Sequence, residues 1–136
     1  MKTDERIEQI KDPELRATAT IYAERDRQKS EEHWDQDHDD THIDGSIWKA
    51  AKFYVEAALR PPIWQLMNFA KQWPWDPQYF KPWKKDSAGE YTTEIDRERC
   101  LVKAGALILA EQERLDRALK KVVSKLAEIR TQKDSQ

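Results

Sequence analysis

The chain is poor in the residues that cross-link a fold or interrupt helices. It contains one cysteine, Cys100, and three glycines among 136 residues. A single cysteine excludes an internal disulfide and a zinc site built from cysteines. Because glycine is scarce and no alternation of β-branched residues is sustained, the sequence favours helices over strands.

Long apolar runs and a marked net charge are also absent. The longest uncharged apolar run, residues 104–110, is far shorter than the roughly 20 residues that a membrane-spanning helix needs. The first residues contain no apolar core, so we expect no signal peptide. The net charge of −2 argues against a general nucleic-acid binder. These features predict a cytoplasmic protein that does not bind membranes.

The spacing of apolar residues predicts an all-α fold, a four-helix bundle-like domain with a long C-terminal helix and an aromatic/proline-rich loop. Asp12 and Pro13 form a strong helix start, as N-cap and first helical residue. Residues that recur at helical spacing follow: Leu15, Thr18, Ala19, Tyr22 and Ala23. The predicted segments of this single domain (1–136) are a tail (1–12), a helix (13–30), an acidic/His loop (31–45), a helix (46–60), a short helix (62–71), an aromatic-proline loop (72–90), a long helix (93–130) and a tail (131–136).

The last predicted helix carries a heptad-like apolar seam, with charged residues on its other faces. The seam consists of Leu115, Leu119, Val122, Leu126 and Ile129. Too little chain remains to cover this seam fully. We therefore expect a homo-oligomer that forms through the C-terminal helix.

The acidic segment at residues 31–44 holds all three histidines and seven carboxylates, but no lysine or arginine. Such repulsion is relieved either by a divalent cation or by basic groups from elsewhere in the fold. Within it, His38, Asp39, Asp40 and His42 offer two imidazoles and two carboxylates. Zinc accepts all of these ligands, and magnesium or manganese accepts the carboxylates. The alternative is a solvated acidic loop whose histidines cap a neighbouring helix.

The end of the first long helix offers another candidate. Glu24 and Gln28 lie one turn apart on one face, and Arg25 lies on another. Glu24 can join the carboxylates of the following segment, while Arg25 can hold a phosphate. The alternative is a solvated face with salt bridges.

The aromatic-proline segment can line a pocket. Trp75 is suited to stack on a base, Asp76 to bind a base edge, and Lys81 to contact a phosphate. The alternative is that these rings seal one open end of the bundle.

The last helix contributes Lys103 and Glu111, which lie roughly on one side and flank Gly105. A glycine inside a helix costs about 1 kcal/mol relative to alanine. We therefore expect close backbone packing or the approach of a ligand at Gly105.

Ordered motifs run through most of the chain: Glu24-Arg-x-Arg-Gln28, Trp34, His38-Asp-Asp-x-His42, Trp73-Pro-Trp-Asp76, Lys81-Pro-Trp83 and residues 101–111. Together they resemble a family of small helical proteins of uncharacterised function encoded by phages and prophages. The resemblance covers about residues 22–117 and implies the cytoplasm of an infected bacterial host.

A remoter resemblance is to the MazG-like all-α nucleoside triphosphate pyrophosphohydrolases. Their E-E-x-x-E run has a loose counterpart in Glu31-Glu32-His-Trp-Asp35. Leu59 stands where their second motif, E-x-x-D, would place an aspartate after Glu56. This resemblance implies an oligomeric bundle that uses magnesium to split triphosphates into monophosphate and pyrophosphate.

These observations predict a metal-dependent nucleotide hydrolase of phage origin, in which the metal activates water and bridges phosphate oxygens. In this hypothesis Mg²⁺ or Mn²⁺ is held by carboxylates, namely Glu24, Asp39, Asp40 and Glu111. Proton transfer and charge neutralisation fall to His38, His42 and Lys103. The remaining ligand contacts come from Arg25, Gln28, Trp75, Asp76 and Lys81.

Two alternatives stay open. One is a non-catalytic phage-encoded binding protein that sequesters a nucleotide or inhibits a host protein. The other is a structural dimer whose C-terminal seam is the functional part.

Overall fold

The computed structural model describes residues 3–60, 67–69, 71–76, 79–80 and 94–134, and all regular structure within these ranges is helical. The helices are α1 (Thr3–Glu8), α2 (Pro13–Glu31), α3 (Gln36–Thr41), α4 (Ser46–Leu59) and α5 (Glu94–Asp134). Residues 67–69 and 71–72 are also helical. The predicted all-α fold with a long C-terminal helix is confirmed.

The start of α2 follows from its sequence. The Asp12 carboxylate accepts a hydrogen bond from the backbone N–H of Leu15 at 3.0 Å, and Pro13 occupies the first turn. This bond satisfies one of the N–H groups that a helix leaves without a partner at its N-terminus. The predicted cap is confirmed.

The apolar core lies between α4 and α5. α4 buries a face rich in alanine and aromatic residues, and its ring at Phe53 lies edge-on to those of Phe69 and Phe80. From α5, Cys100 and Leu107 are fully buried against this face. Small side chains on both helices allow the backbones to approach closely. The buried core residues of the two helices are Ile47, Ala50, Ala51, Phe53, Tyr54, Ala57, Ala58, Cys100, Ala104, Ala106, Leu107 and Ala110.

α2 covers a second side of α5. A Cβ added at Gly105 would lie 3.2 Å from the Cδ1 atom of Ile21, so this glycine lets α2 pack close to the α5 backbone. The close packing expected at Gly105 is thereby confirmed. The fully buried residues of α2 are polar, however. Leu15 and Tyr22 are exposed, whereas Arg25 and Gln28 are buried.

The structure differs from the predicted segments at three places. The predicted tail 1–12 contains α1, and the predicted loop 31–45 contains α3. α5 continues through Asp134, beyond the predicted end at residue 130, because no glycine or proline interrupts it there. Apolar spacing does not predict α3, because its residues are polar or charged and therefore show no apolar period.

Two predicted segments are described only in part. The helix 62–71 is described at residues 67–69 and 71, and the aromatic-proline loop 72–90 at residues 72–76 and 79–80. Among the described helices, none combines the length and apolarity that a membrane span requires.

Candidate functional site

Arg25 lies at the centre of the most buried polar cluster. Its Nη2 donates to Asp39 Oδ2 at 2.7 Å, and its Nη1 donates to the backbone carbonyl of Trp34 at 2.8 Å. The same Nη2 also lies 3.3 Å from Glu113 Oε2. The side chains of Arg25 and Asp39 are only 3% and 2% exposed. Arg25 therefore joins α2, α3 and α5 in one buried network.

The backbone between α2 and α3 places Asp39 beside Arg25. His33 adopts a positive φ of 60°, a conformation that histidine tolerates better than most residues. The Trp34 N–H then bonds to the carbonyl of Gln28 at 3.0 Å, which turns the chain back over the end of α2. Asp35 caps the new helix by accepting from the N–H of His38 at 3.1 Å.

The second carboxylate of α3 is held from the other side. Arg117 of α5 donates from Nη2 to Asp40 Oδ1 at 2.9 Å and from Nε at 3.2 Å. This pair is more exposed than the first, at 22% and 32%. Two arginines from outside the acidic segment thus compensate its two central carboxylates. The repulsion within the acidic segment is therefore relieved by basic groups from elsewhere in the fold, which is one of the two ways considered from the sequence.

The other two predicted metal ligands are also paired with arginines. Glu24 accepts two bonds from Arg27, at 2.7 and 2.8 Å, and Glu111 accepts from Arg114 through both oxygens. The hydrogen bonds that Arg27 donates to Glu24 raise the pKa of Arg27. The hydrogen bonds that Arg114 donates to Glu111 raise the pKa of Arg114.

The four carboxylates do not form a metal site as they stand. Each is bonded to a different arginine, and within the described ranges no group of three or more His, Cys, Asp or Glu side chains is placed to hold a metal ion. The Mg²⁺ or Mn²⁺ site remains a prediction. To bind at Asp39, a cation would first have to displace Arg25 or His38, since each holds one carboxylate oxygen.

The two predicted catalytic histidines belong to an aromatic cluster. The rings of His38 and His42 lie 4.2 Å apart, and Trp34 stacks on His38 at 5.9 Å between ring centroids. Trp75 meets both imidazoles edge-on, at 6.0 and 5.5 Å. The Nδ1–H of His38 donates to Asp39 Oδ1 at 3.0 Å, with the tautomer assigned from the carboxylate that faces it. The cluster therefore extends the Arg25 network through Asp39.

Lys103 lies elsewhere, on the half-buried side of α5. Burial lowers the pKa of Lys103 to about 8, and the nearby Glu24 carboxylate opposes this shift. Its Nζ lies 5.9 Å from the centroid of the Tyr54 ring. At neutral pH an appreciable fraction of this amine is therefore uncharged, unlike that of an ordinary lysine.

The structure describes four of the five predicted ligand-binding residues, namely Arg25, Gln28, Trp75 and Asp76. Gln28 is buried, and its Oε1 has no hydrogen-bond partner among the described residues. The Trp75 indole N–H is likewise buried and unpaired within those ranges. The exposed Asp76 uses its backbone carbonyl to accept from Trp73 Nε1 at 3.1 Å. Lys81 lies outside the described residues.

Sequence reasoning did not single out Arg117 as a site residue, although Arg117 holds one of the two central carboxylates. A weak signal existed, because Glu113 and Arg117 are four residues apart and so share a face of α5. That face meets α3 only in the folded chain, so the pairing with Asp40 has no signature in local spacing.

Comparisons with protein-family models, with curated proteins and with solved structures found no match. The resemblances to phage-encoded proteins and to MazG-like enzymes therefore remain predictions.

Proposed function

We propose that this chain is a non-catalytic binding protein that self-associates through the second half of α5, residues 115–134. We call this segment the arm. The observation that carries the proposal is the exposure of its apolar seam: the five seam side chains are between 49% and 62% exposed. Among the described residues of the arm, only Arg117 is not exposed.

Without a partner, the arm leaves the apolar side chains of its seam exposed to water. Most helical stability in proteins comes from the packing of an apolar face rather than from intrinsic helix propensity. The seam residues alternate at spacings of four and three, which is the pattern that packs one helix against another in a coiled coil. A second arm would bury these side chains.

The energetics favour a dimer of moderate affinity. Burying the exposed half of one seam side chain contributes about 1 kcal/mol, which gives about 10 kcal/mol for the ten side chains of two arms. Association costs about 4–15 kcal/mol in lost translational and rotational freedom. The lower end of that cost leaves a surplus of about 6 kcal/mol, so we expect a dissociation constant on the order of tens of micromolar.

The metal-dependent hydrolase receives less support from the geometry. Its four proposed metal ligands are each bonded to an arginine, and Lys103 is not part of the His38–His42 cluster. Calorimetric titration with Mg²⁺, Mn²⁺ and Zn²⁺ tests that prediction separately. Saturable binding that is lost in His38→Ala and Asp39→Ala variants would restore the hydrolase as the leading hypothesis.

Analytical ultracentrifugation of the full chain tests self-association. We expect the wild type to dimerise at about 100 µM, and the Leu119→Glu/Leu126→Glu variant to be monomeric because it places charges in the seam. The matched control is Lys121→Glu/Ser124→Glu, which adds two glutamates on the opposite face of the arm and should still dimerise. A monomeric wild type, or an unaffected Leu119→Glu/Leu126→Glu variant, would overturn the proposal.

A further inference from the structure

The charges beside the seam indicate how two arms pair. We infer that two copies of the chain pack their arms antiparallel, with the two-fold axis at Ser124. This inference rests on the self-association proposed above. In heptad notation Leu119 and Leu126 occupy a, and Leu115, Val122 and Ile129 occupy d. The flanking e positions are Asp116, Val123 and Arg130, and the flanking g positions are Glu111, Ala118, Lys125 and Gln132.

A parallel pairing places like charges together. In that geometry each g residue faces the e residue of the next heptad on the other helix. Glu111 would face Asp116 of the second copy, and Lys125 would face Arg130. Each contact occurs twice in a symmetric dimer, so all four charged flanking contacts would be repulsive.

An antiparallel pairing changes this balance. In that geometry e faces e and g faces g, while each a residue packs against a d residue. With the axis at Ser124, Asp116 of each copy faces Arg130 of the other, which gives two attractive contacts. Val123 faces Val123 of the second copy. One repulsive contact remains, between the two Lys125 side chains at the axis. The apolar layers are Leu119 with Ile129 and Leu126 with Val122.

Other antiparallel registers fit less well. Moving the axis by half a heptad leaves no pair of opposite charges in contact across the seam. Moving it to Arg117 gives the same charge balance, because Glu111 then faces Lys125 twice and Asp116 faces Asp116 of the second copy, but it also places the second arm alongside Gly105. There the α5 backbone is already covered by α2, since Ile21 Cδ1 lies 3.2 Å from the position of a Cβ on Gly105. The register centred on Ser124 avoids this overlap with α2.

This arrangement separates the two folded bodies. Arg117 marks the end of each body on α5, because it bonds Asp40 of α3 and is the one residue of the arm that is not exposed among those the structure describes. Two copies of Arg117 would lie 14 residues apart along the paired arms, or about 21 Å at 1.5 Å per residue. The dimer would therefore present two identical bodies at opposite ends of a rod and act as a bivalent binder.

Charge-reversal variants distinguish the antiparallel from the parallel dimer, because the same substitution weakens one dimer and strengthens the other. In the antiparallel dimer, Arg130→Asp converts two attractive contacts into repulsive ones, so we expect the dimer to dissociate on the order of tenfold more readily. Asp116→Arg should weaken it similarly, although Asp116 also bonds Lys120 within its own helix at 2.9 Å. The double variant Asp116→Arg/Arg130→Asp restores opposite charges and should recover wild-type affinity. The matched control is Glu128→Lys, which reverses a charge away from the seam and should change little.

In a parallel dimer the same single reversals would relieve repulsion and strengthen association. Tighter dimers of either single variant, or no change in any of the three, would overturn the antiparallel inference while leaving self-association intact. A wild type that does not dimerise would instead overturn the proposed function itself.

A distance measurement provides a second readout. Spin labels on an Asp134→Cys variant should lie about 30 Å apart along the axis in the antiparallel dimer. A parallel dimer would bring them side by side, and a short distance would overturn the inference. Unaltered protein treated with the same reagent is the labelling control, because its one cysteine, Cys100, is fully buried.

Discussion

Replacing Asp39 with alanine should cost far more stability than replacing its neighbour Asp40. Both residues lie on α3, and each pairs with one arginine from another helix, at 2.7 Å and 2.9 Å. Their surroundings differ, because the Asp39 pair is 2–3% exposed and the Asp40 pair 22–32% exposed. Both substitutions remove one carboxylate from an arginine pair and differ chiefly in burial, although Asp39→Ala also removes the bond from His38 at 3.0 Å.

The expected magnitudes follow from burial. Removing one partner of a buried ion pair costs about 3–5 kcal/mol because the remaining charge is left uncompensated. Arg25 would keep its bond to the Trp34 carbonyl and its contact with Glu113 at 3.3 Å, so we expect the lower end, about 3 kcal/mol. A pair near the surface contributes about 0.5 kcal/mol. For a chain of this size the first loss corresponds to a melting temperature lower by about 10 °C, and the second to about 2 °C.

Urea unfolding followed by circular dichroism measures both variants. The double variant Arg25→Met/Asp39→Leu should recover much of the loss, since it removes the buried charge together with its partner. Equal losses for Asp39→Ala and Asp40→Ala would refute the argument. So would an Arg25→Met/Asp39→Leu variant that is no more stable than Asp39→Ala.

Three further predictions concern single positions. The pKa of Lys103 is lowered from 10.5 to about 8 in the folded chain, so the unfolded chain binds more protons between these values and stability should rise with pH across this window. Melting curves of the Lys103→Met variant should lack that rise, and an identical pH dependence in both proteins would contradict the prediction. Gly105→Ala should add about 1 kcal/mol of stability in an Ile21→Ala background, where the 3.2 Å contact between the new Cβ and Ile21 Cδ1 cannot form. In the wild type the gain should be smaller, and equal gains in both backgrounds would show that Ile21 does not restrict this site. Asp12→Ala should cost about 1 kcal/mol through loss of its bond to Leu15, whereas Asp12→Asn should cost little in the same unfolding assay.

The sequence predicted the helices whose signals are local. Asp12 and Pro13 mark the start of α2, and the apolar period of residues 47–58 marks the buried face of α4. α3 has neither signal, because it is held to the body by Arg25 and Arg117, which are 14 and 77 residues from their carboxylate partners. Contacts of that separation are not visible in a helical period.

The orientation of α2 shows the same limit in another way. Leu15 and Tyr22 recur at helical spacing but are exposed, and the structure buries Arg25 and Gln28 instead. A helix usually turns its apolar stripe to the core. Here Arg25 of α2 pairs with Asp39 of α3, and this pairing allows a polar face of α2 to be buried. Periodicity counts apolar residues and cannot recognise a buried pair before its second member is known.

The acidic cluster and the arm are parts of one arrangement along α5. Glu113 contacts Arg25 of α2, and Arg117 contacts Asp40 of α3, so both helices bind α5 where the exposed seam begins. These bonds fix the direction in which the arm leaves the body. If the arm pairs two copies of the chain, the ion pairs that resemble a metal site in the sequence serve to orient two bodies on one rod. Asp40→Ala should then leave dimer affinity unchanged but broaden the distribution of distances between spin labels on the two bodies, whereas a metal ligand would show its loss in metal binding.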